Sequence, residues 1–454
     1  MTSMTRTRFF ACLLVFGLCV LESDPVHADV STPGSGDVSQ FEVNGLKVII
    51  KQRPRSRTVA LGLFVRGGSS NVDSSNAGIE SLLLRVASDA TTRFPRQVLR
   101  AELARMSSVI SYGTNYDYSV LSLACVRANF ERSWEVFADA AIHPALNVED
   151  VEHEKSQMIA ALRGEADEPD NALQLLQAHT SYAQHPYENE PDGTVASLEK
   201  LTAADLKLYH QKVMQTSHLL LVVVGNVEAT DLRRKVAATF GLLPKGAYES
   251  TETPTFTFTS SHLEMLERAL PTNYIQGIYG APKLMSPDTE ALVVASEILN
   301  TRVFDEIRVR RNLSYAPRAF FWKRGAPAGG IYVTAVDANQ AVKVMRDEIA
   351  RLQKQPVKAE ELAQIAGNFL TKFYLSIESN AAQVGVLAQY ELVDGGWQQS
   401  EATIERVRAV TAADVQRVAT QYMKNLQFVV IGQESAINRK TFTGEQVQAS
   451  QSQP

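Results

Sequence analysis

Asn76-Ala-Gly-Ile-Glu-Ser-Leu-Leu-Leu-Arg-Val-Ala-Ser88 and Val151-Glu-His-Glu-Lys-Ser-Gln-Met-Ile-Ala-Ala-Leu162 are the two stretches whose reading decides this fold. Both read as helices, and Gly78 near the start of the first allows close packing there. Before them, residues 41–50 give two short strands about an Asn-Gly turn, and an apolar strand over 58–65 stops at Arg66-Gly67-Gly68. Between them the pattern gives a helix over 97–106, strands near 109–112 and 119–126, and a helix over 129–142 that Pro144 interrupts. The second key helix runs over 148–163, Glu165-Ala-Asp-Glu-Pro-Asp170 breaks it, and a helix over 172–181 follows. His185-Pro-Tyr187 reads as a loop that His185 anchors by hydrogen bonding.

The rest of the chain repeats itself. Thr202-Ala-Ala-Asp205 opens a helix, with Thr202 as N-cap and Asp205 in a capping-box position, and the buried strand 219–225 follows. Thr411-Ala-Ala-Asp414, a helix and the strand 426–432 come in the same order. From Thr to closing Gly takes 23 positions in the first copy and 21 in the second. Cap, helix, strand and glycine in one order point to duplication. The expected fold is α+β, with two homologous domains, each a mixed, mainly antiparallel sheet packed with helices. The domains span 41–241 and 257–436, joined by a linker over 242–256, with a disordered lead-in over 29–40 and a disordered tail over 437–454.

An apolar fraction of 45% and a charged fraction of 21% over 454 residues describe a folded chain of two or three domains. Net charge is -5 and no basic block is present, so a nucleic-acid partner is not expected. Arg6 and Arg8 precede an apolar run over 9–21, and Val26-His27-Ala28 offers a small-x-small cleavage pattern. That is the order of a secretory signal over 1–28, and the run is too short to span a bilayer. Export to the bacterial periplasm is expected, with no transmembrane segment in the mature chain. Phe16-Gly17-Leu18 before Cys19 is a poor context for a lipid anchor. Cys125 is the cysteine that stays after cleavage, and it reads as a small buried apolar group.

Ser81, Leu84 and Arg85 stand at i, i+3 and i+4 of the first key helix, and Ala161 lies seven residues after Glu154 and 80 after Ser81. Together with Arg66-Gly-Gly-Ser69, Gly78, Asp167-Glu-Pro169, His185-Pro-Tyr187 and Gly225-Asn-Val227, these positions resemble the pitrilysin-like metallopeptidases, family M16, over most of residues 41–436. The resemblance implies the metallohydrolase fold of the mitochondrial processing peptidases. It also implies a His-x-x-Glu-His motif and a distal Glu at those four positions. Two imidazoles and a carboxylate would fix zinc there while a second carboxylate takes a proton from its water. Serine, leucine, arginine and alanine can do none of this, so no catalytic residue and no bound cofactor are expected. The histidines at 143, 153, 179, 185, 210, 218 and 262 include no His-x-x-x-His pair, and Glu152-His153-Glu154 reads as a solvated helix face.

One further segment, 301–315, resembles the family's Arg-(six residues)-Tyr element, with Arg308 and Tyr315 in the two places. In the family such a pair reaches across a closed chamber to the peptide held at the zinc. Without the resemblance, the same residues describe a charged helix followed by a packed tyrosine. The expected role is that of an inactive subunit in a heterodimer. Its partner is a zinc-bearing homologue with His-x-x-Glu-His, and its substrate a peptide or unfolded polypeptide that Arg308 and Tyr315 help to bind. The alternative is a structural or polypeptide-binding protein of the same fold with no peptidase partner.

Overall fold

The computed structural model describes residues 37–444. The expected signal segment, Cys12, Cys19 and residues 445–454 lie outside the described residues. Six strands form the first sheet: β1 (Val38–Val43), β2 (Leu46–Gln52), β3 (Thr58–Arg66), β4 (Val109–Thr114), β5 (Tyr118–Val126) and β6 (Leu219–Gly225). Five form the second: β7 (His262–Glu267), β8 (Asn273–Gly280), β9 (Arg318–Trp322), β10 (Ala328–Ala335) and β11 (Gln427–Gly432). Their orders are β1-β2-β6-β3-β5-β4 and β7-β11-β8-β10-β9. All pairings are antiparallel except β2 with β6 and β7 with β11. These are the two mixed, mainly antiparallel sheets that the sequence leads one to expect.

Local chemistry explains the joints. Asn44 and Gly45 both take positive φ, 49° and 85°, as a two-residue hairpin turn needs. Thr202 and Thr411 each accept a hydrogen bond from the backbone N–H three residues on, and Asp205 and Asp414 bond back to the cap, so both copies are complete capping boxes. Their helices, Ala203–Val213 and Ala412–Tyr422, lead into β6 and β11, each of which pairs parallel with one strand and antiparallel with another.

Every residue of β6 is buried, because both faces of the first sheet are covered. Leu219, Leu221 and Val223 meet the helices of their own half, including Ile79–Asp89 and Phe130–Ile142. Leu220, Val222 and Val224 meet Val384, Leu387 and Ala388 on the helix Asn380–Val393, which belongs to the second half. The exchange is reciprocal. Ala172 and Leu173 on the helix Pro169–Ser181 pack against Tyr332, Val429 and Ile431 of the second sheet. Each half thus covers the outer face of the other.

Three boundaries differ from expectation. The lead-in was expected to run to residue 40, but β1 begins at Val38, because the pairing of Val38–Val43 with β2 satisfies its backbone. The tail was expected from residue 437, but the helix Arg439–Thr443 docks there. Phe442 is fully buried edge-on against Phe428, ring centroids 5.3 Å apart, and Arg346 donates to the carbonyls of Thr441 and Phe442. The segment over 243–261 carries no regular element until β7, but it is pinned: Phe256 stacks on Tyr182 at 4.9 Å, and the His185 Nε2 lies 2.8 Å from the Pro254 carbonyl oxygen.

Candidate functional site

The helix Ile79–Asp89 is set by its entry. Gly78 has φ 87°, and a Cβ there would come within 2.8 Å of the Asp192 carbonyl oxygen, so only glycine fits. One turn on, the buried Ser81 hydroxyl donates to Asp192 Oδ1 at 2.6 Å, and Thr114 donates to the same oxygen at 2.8 Å. Leu84 is buried in the core of the first half. Arg85 turns the other way and donates through Nε to Glu154 Oε2 at 2.5 Å, through Nη2 to Gln157 Oε1 at 2.9 Å and through Nη1 to the Tyr112 hydroxyl at 3.3 Å. Ala161 is exposed further along the helix Val148–Asp167 and carries no donor atom.

Glu154 is the point on which these charges converge. Its side chain is 6% exposed, and Arg96 stands 3.7 Å from the carboxylate oxygen that Arg85 leaves free. Arg96 in turn pairs with Asp150 at 3.0 Å and with Asp89. Glu152 and His153 face solvent as expected, but Glu154 does not. Helical spacing alone could not tell them apart, because Arg85, from another helix, draws Glu154 inward. Beside Ser81, Glu80 is also buried and accepts from Asn71 at 3.0 Å, from Tyr209 at 2.7 Å and from Ser119. Burial raises its pKa above the ordinary carboxylate range despite these donors. Nothing in the sequence marks Glu80 or Arg96 as members of this site.

Zinc does not fit this set. The four positions hold a hydroxyl bound to Asp192, a hydrocarbon in the core, a guanidinium bonded to a carboxylate and a methyl group. A fixed cation already stands against Glu154, where a second would be repelled. Among the described residues, no group of three or more His, Cys, Asp or Glu side chains could hold a metal ion.

The second predicted pair does come together. The helix Asp288–Val303 continues into a π-helical turn, Phe304–Arg310, a local underwinding often met at functional sites. The turn places the Arg308 guanidinium 4.0 Å from the Tyr315 ring centroid and 5.0 Å from that of Phe304. Arg310 and Arg311 are both taken up by Glu306. Arg308 has no carboxylate partner among the described residues, and Tyr315 is 77% exposed rather than packed. Just before the turn, Arg302 donates twice to Glu361, at 2.8 and 2.9 Å, which fixes the helix that carries it. An unpaired guanidinium braced between rings keeps its N–H donors free for a carbonyl or carboxylate.

Comparison with known proteins identifies the family and the fold. The family model described as Insulinase (Peptidase family M16) matches residues 47–194, and the one described as Peptidase M16 inactive domain matches residues 200–368. The uncharacterized zinc protease SCO5738 of Streptomyces coelicolor is 22% identical over 394 residues, covering 83% of this chain and 84% of that protein. Zinc protease PqqE of Helicobacter pylori is 22% identical over 427 residues, covering 86% and 90%. The mitochondrial-processing peptidase subunit beta of Blastocladiella emersonii is 22% identical over 412 residues, covering 86% and 87%. In fold, the chain is similar to a protease from Helicobacter pylori, with a TM-score of 0.80 at 19% identity over 87% of this chain and 99% of that one. It is similar also to a peptidase M16 inactive domain from Pseudomonas fluorescens, with a TM-score of 0.79 at 20% identity over 87% and 98%. The chain belongs to peptidase family M16, and among its described residues no group of three or more His, Cys, Asp or Glu side chains could hold a metal ion.

Proposed function

We propose that this chain is the non-catalytic subunit of a heterodimeric M16-type zinc peptidase, exported to the periplasm. Its partner is a homologue with an intact His-x-x-Glu-His motif, and peptide hydrolysis takes place at the partner's zinc. This chain forms half of the chamber wall and binds the peptide through Arg308 and Tyr315. Arg308 donates to a peptide carbonyl, and the Tyr315 hydroxyl donates to the oxygen on which negative charge develops. The observation that carries the reading is a contrast within one chain. The arginine at position 85 is consumed by Glu154, while Arg308, beside an exposed tyrosine, has no carboxylate partner among the described residues.

Capture of the tagged chain from the extracytoplasmic fraction of its source, followed by native mass and zinc analysis, tests the proposal. A second subunit of similar size with one zinc per pair is the expected result. A zinc-free homodimer or a lone chain would replace it with the reading of a polypeptide-binding protein that has no peptidase partner.

A further inference from the structure

A cavity of about 410 Å³ opens on the seam between the halves, where the end of β3, residues 250–253 and residues 391–395 meet. Arg66, the last residue of β3, stands in its wall and is partly exposed. It donates through Nε to the Leu219 carbonyl oxygen at 3.4 Å and has no carboxylate partner among the described residues. Burial lowers its pKa, and Glu391, in the same wall, offsets this only in part. The carboxylates of the wall are all taken up. Glu391 pairs with Lys47 at 2.6 Å, Glu252 pairs with Lys283, and Asp117 accepts from the Gly325 N–H at 3.0 Å and from the Tyr187 hydroxyl. Among the described residues of the wall, Arg66 alone is a charge without a partner. An anion there meets a forked donor whose own hydration is already reduced.

Two further features narrow the anion. Residues 250–253 belong to no helix or strand, and their backbone groups bond to no other backbone among the described residues. Water satisfies these groups until another chain takes its place. Met285, Leu392 and Val393 add apolar surface to the same wall, and Met285 is 53% exposed. Free backbone groups, an apolar patch and an unpaired guanidinium together suit the carboxyl end of a peptide.

We propose that the seam cavity binds the C-terminal end of a short peptide. Arg66 takes the carboxylate, the backbone of residues 250–253 pairs with that of the peptide, and the last side chain rests on Met285 and Leu392. Arg308 is not part of this wall, and binding needs neither zinc nor a partner subunit.

Three probes separate the contributions: acetyl-Ala-Ala-Leu as the free acid, the same peptide as its amide, and isovalerate, an acid with no peptide backbone. Calorimetric titration of the full chain should show one saturable site for the peptide acid. The amide should bind at least about tenfold more weakly, the yield of a hydrogen bond to a charged group. Isovalerate should also bind at least about tenfold more weakly, because it leaves the backbone of residues 250–253 to water. Arg66→Gln should make acid and amide equal at an unchanged melting temperature, and Arg66→Lys, which keeps the charge but not the fork, should fall between. Failure of the peptide acid to saturate, equal affinity of acid and amide for the unsubstituted chain, isovalerate binding as tightly as the peptide, or a preference for the acid that survives Arg66→Gln would each overturn the proposal.

Discussion

Arg85 and Glu154 meet at 2.5 Å, with the arginine side chain a quarter exposed and the glutamate nearly enclosed. Removing one partner of such a pair leaves the other to bear its own desolvation. Arg96, at 3.7 Å, compensates in part, so Arg85→Ala should cost about 1–3 kcal/mol, measured by urea unfolding at neutral pH. His218 gives a prediction in pH. It is buried, its Nε2 lies 3.0 Å from the Arg66 carbonyl oxygen and its ring stacks on Tyr248 at 4.0 Å. Burial, with Lys212 and Arg66 nearby, lowers its pKa to about 4, whereas the unfolded chain takes up the proton near the ordinary histidine value. The stability that His218 contributes is therefore whole above the unfolded value and is lost as pH falls toward 4. Stability should drop by roughly 3 kcal/mol over that window beyond the loss due to other groups, and His218→Gln should remove this part of the slope. At this scale the sequence was legible where a residue's chemistry is its own, as for Ser81, Leu84 and Ala161, which no fold could turn into zinc ligands. It was silent on Glu80, Arg96 and Glu154, whose roles arise from residues on other elements.

The elements legible beforehand are those that carry their own punctuation. Asn44-Gly45 marks a hairpin, and the two Thr-Ala-Ala-Asp runs mark helix starts. Thr202→Ala and Thr411→Ala should each cost about 1 kcal/mol in unfolding free energy, and the double variant should show their sum, because the caps lie in separate halves. A clear departure from additivity would mean that the halves communicate through these helices. The π-helical turn Phe304–Arg310 was not legible, since its charges suit an ordinary helix equally well. The docked helix Arg439–Thr443 was missed because one apolar residue, Phe442, stands among polar neighbours. An amphipathic face also does not say which sheet it meets, so the helix Pro169–Ser181 could be anticipated but not its place on the second sheet.

That exchange of helices governs the molecule as a whole. With Ala388 on the first sheet and Leu173 on the second, neither half keeps a closed core alone. Calorimetry should show one unfolding transition, and Leu173→Asp or Ala388→Asp should lower that single transition by about 3 kcal/mol or more rather than split it. Joined in this way, the two halves pack as one unit that carries Arg308 and Tyr315, and under the proposed function that unit faces a partner that holds the metal. The decisive measurement is the peptidase rate of the pair formed with the zinc-bearing homologue when this chain carries Arg308→Ala and Tyr315→Phe, with native mass confirming that pairing is intact. The account predicts a fall of at least about tenfold, on the scale of losing a donor to developing charge. An unchanged rate in an intact pair would contradict it.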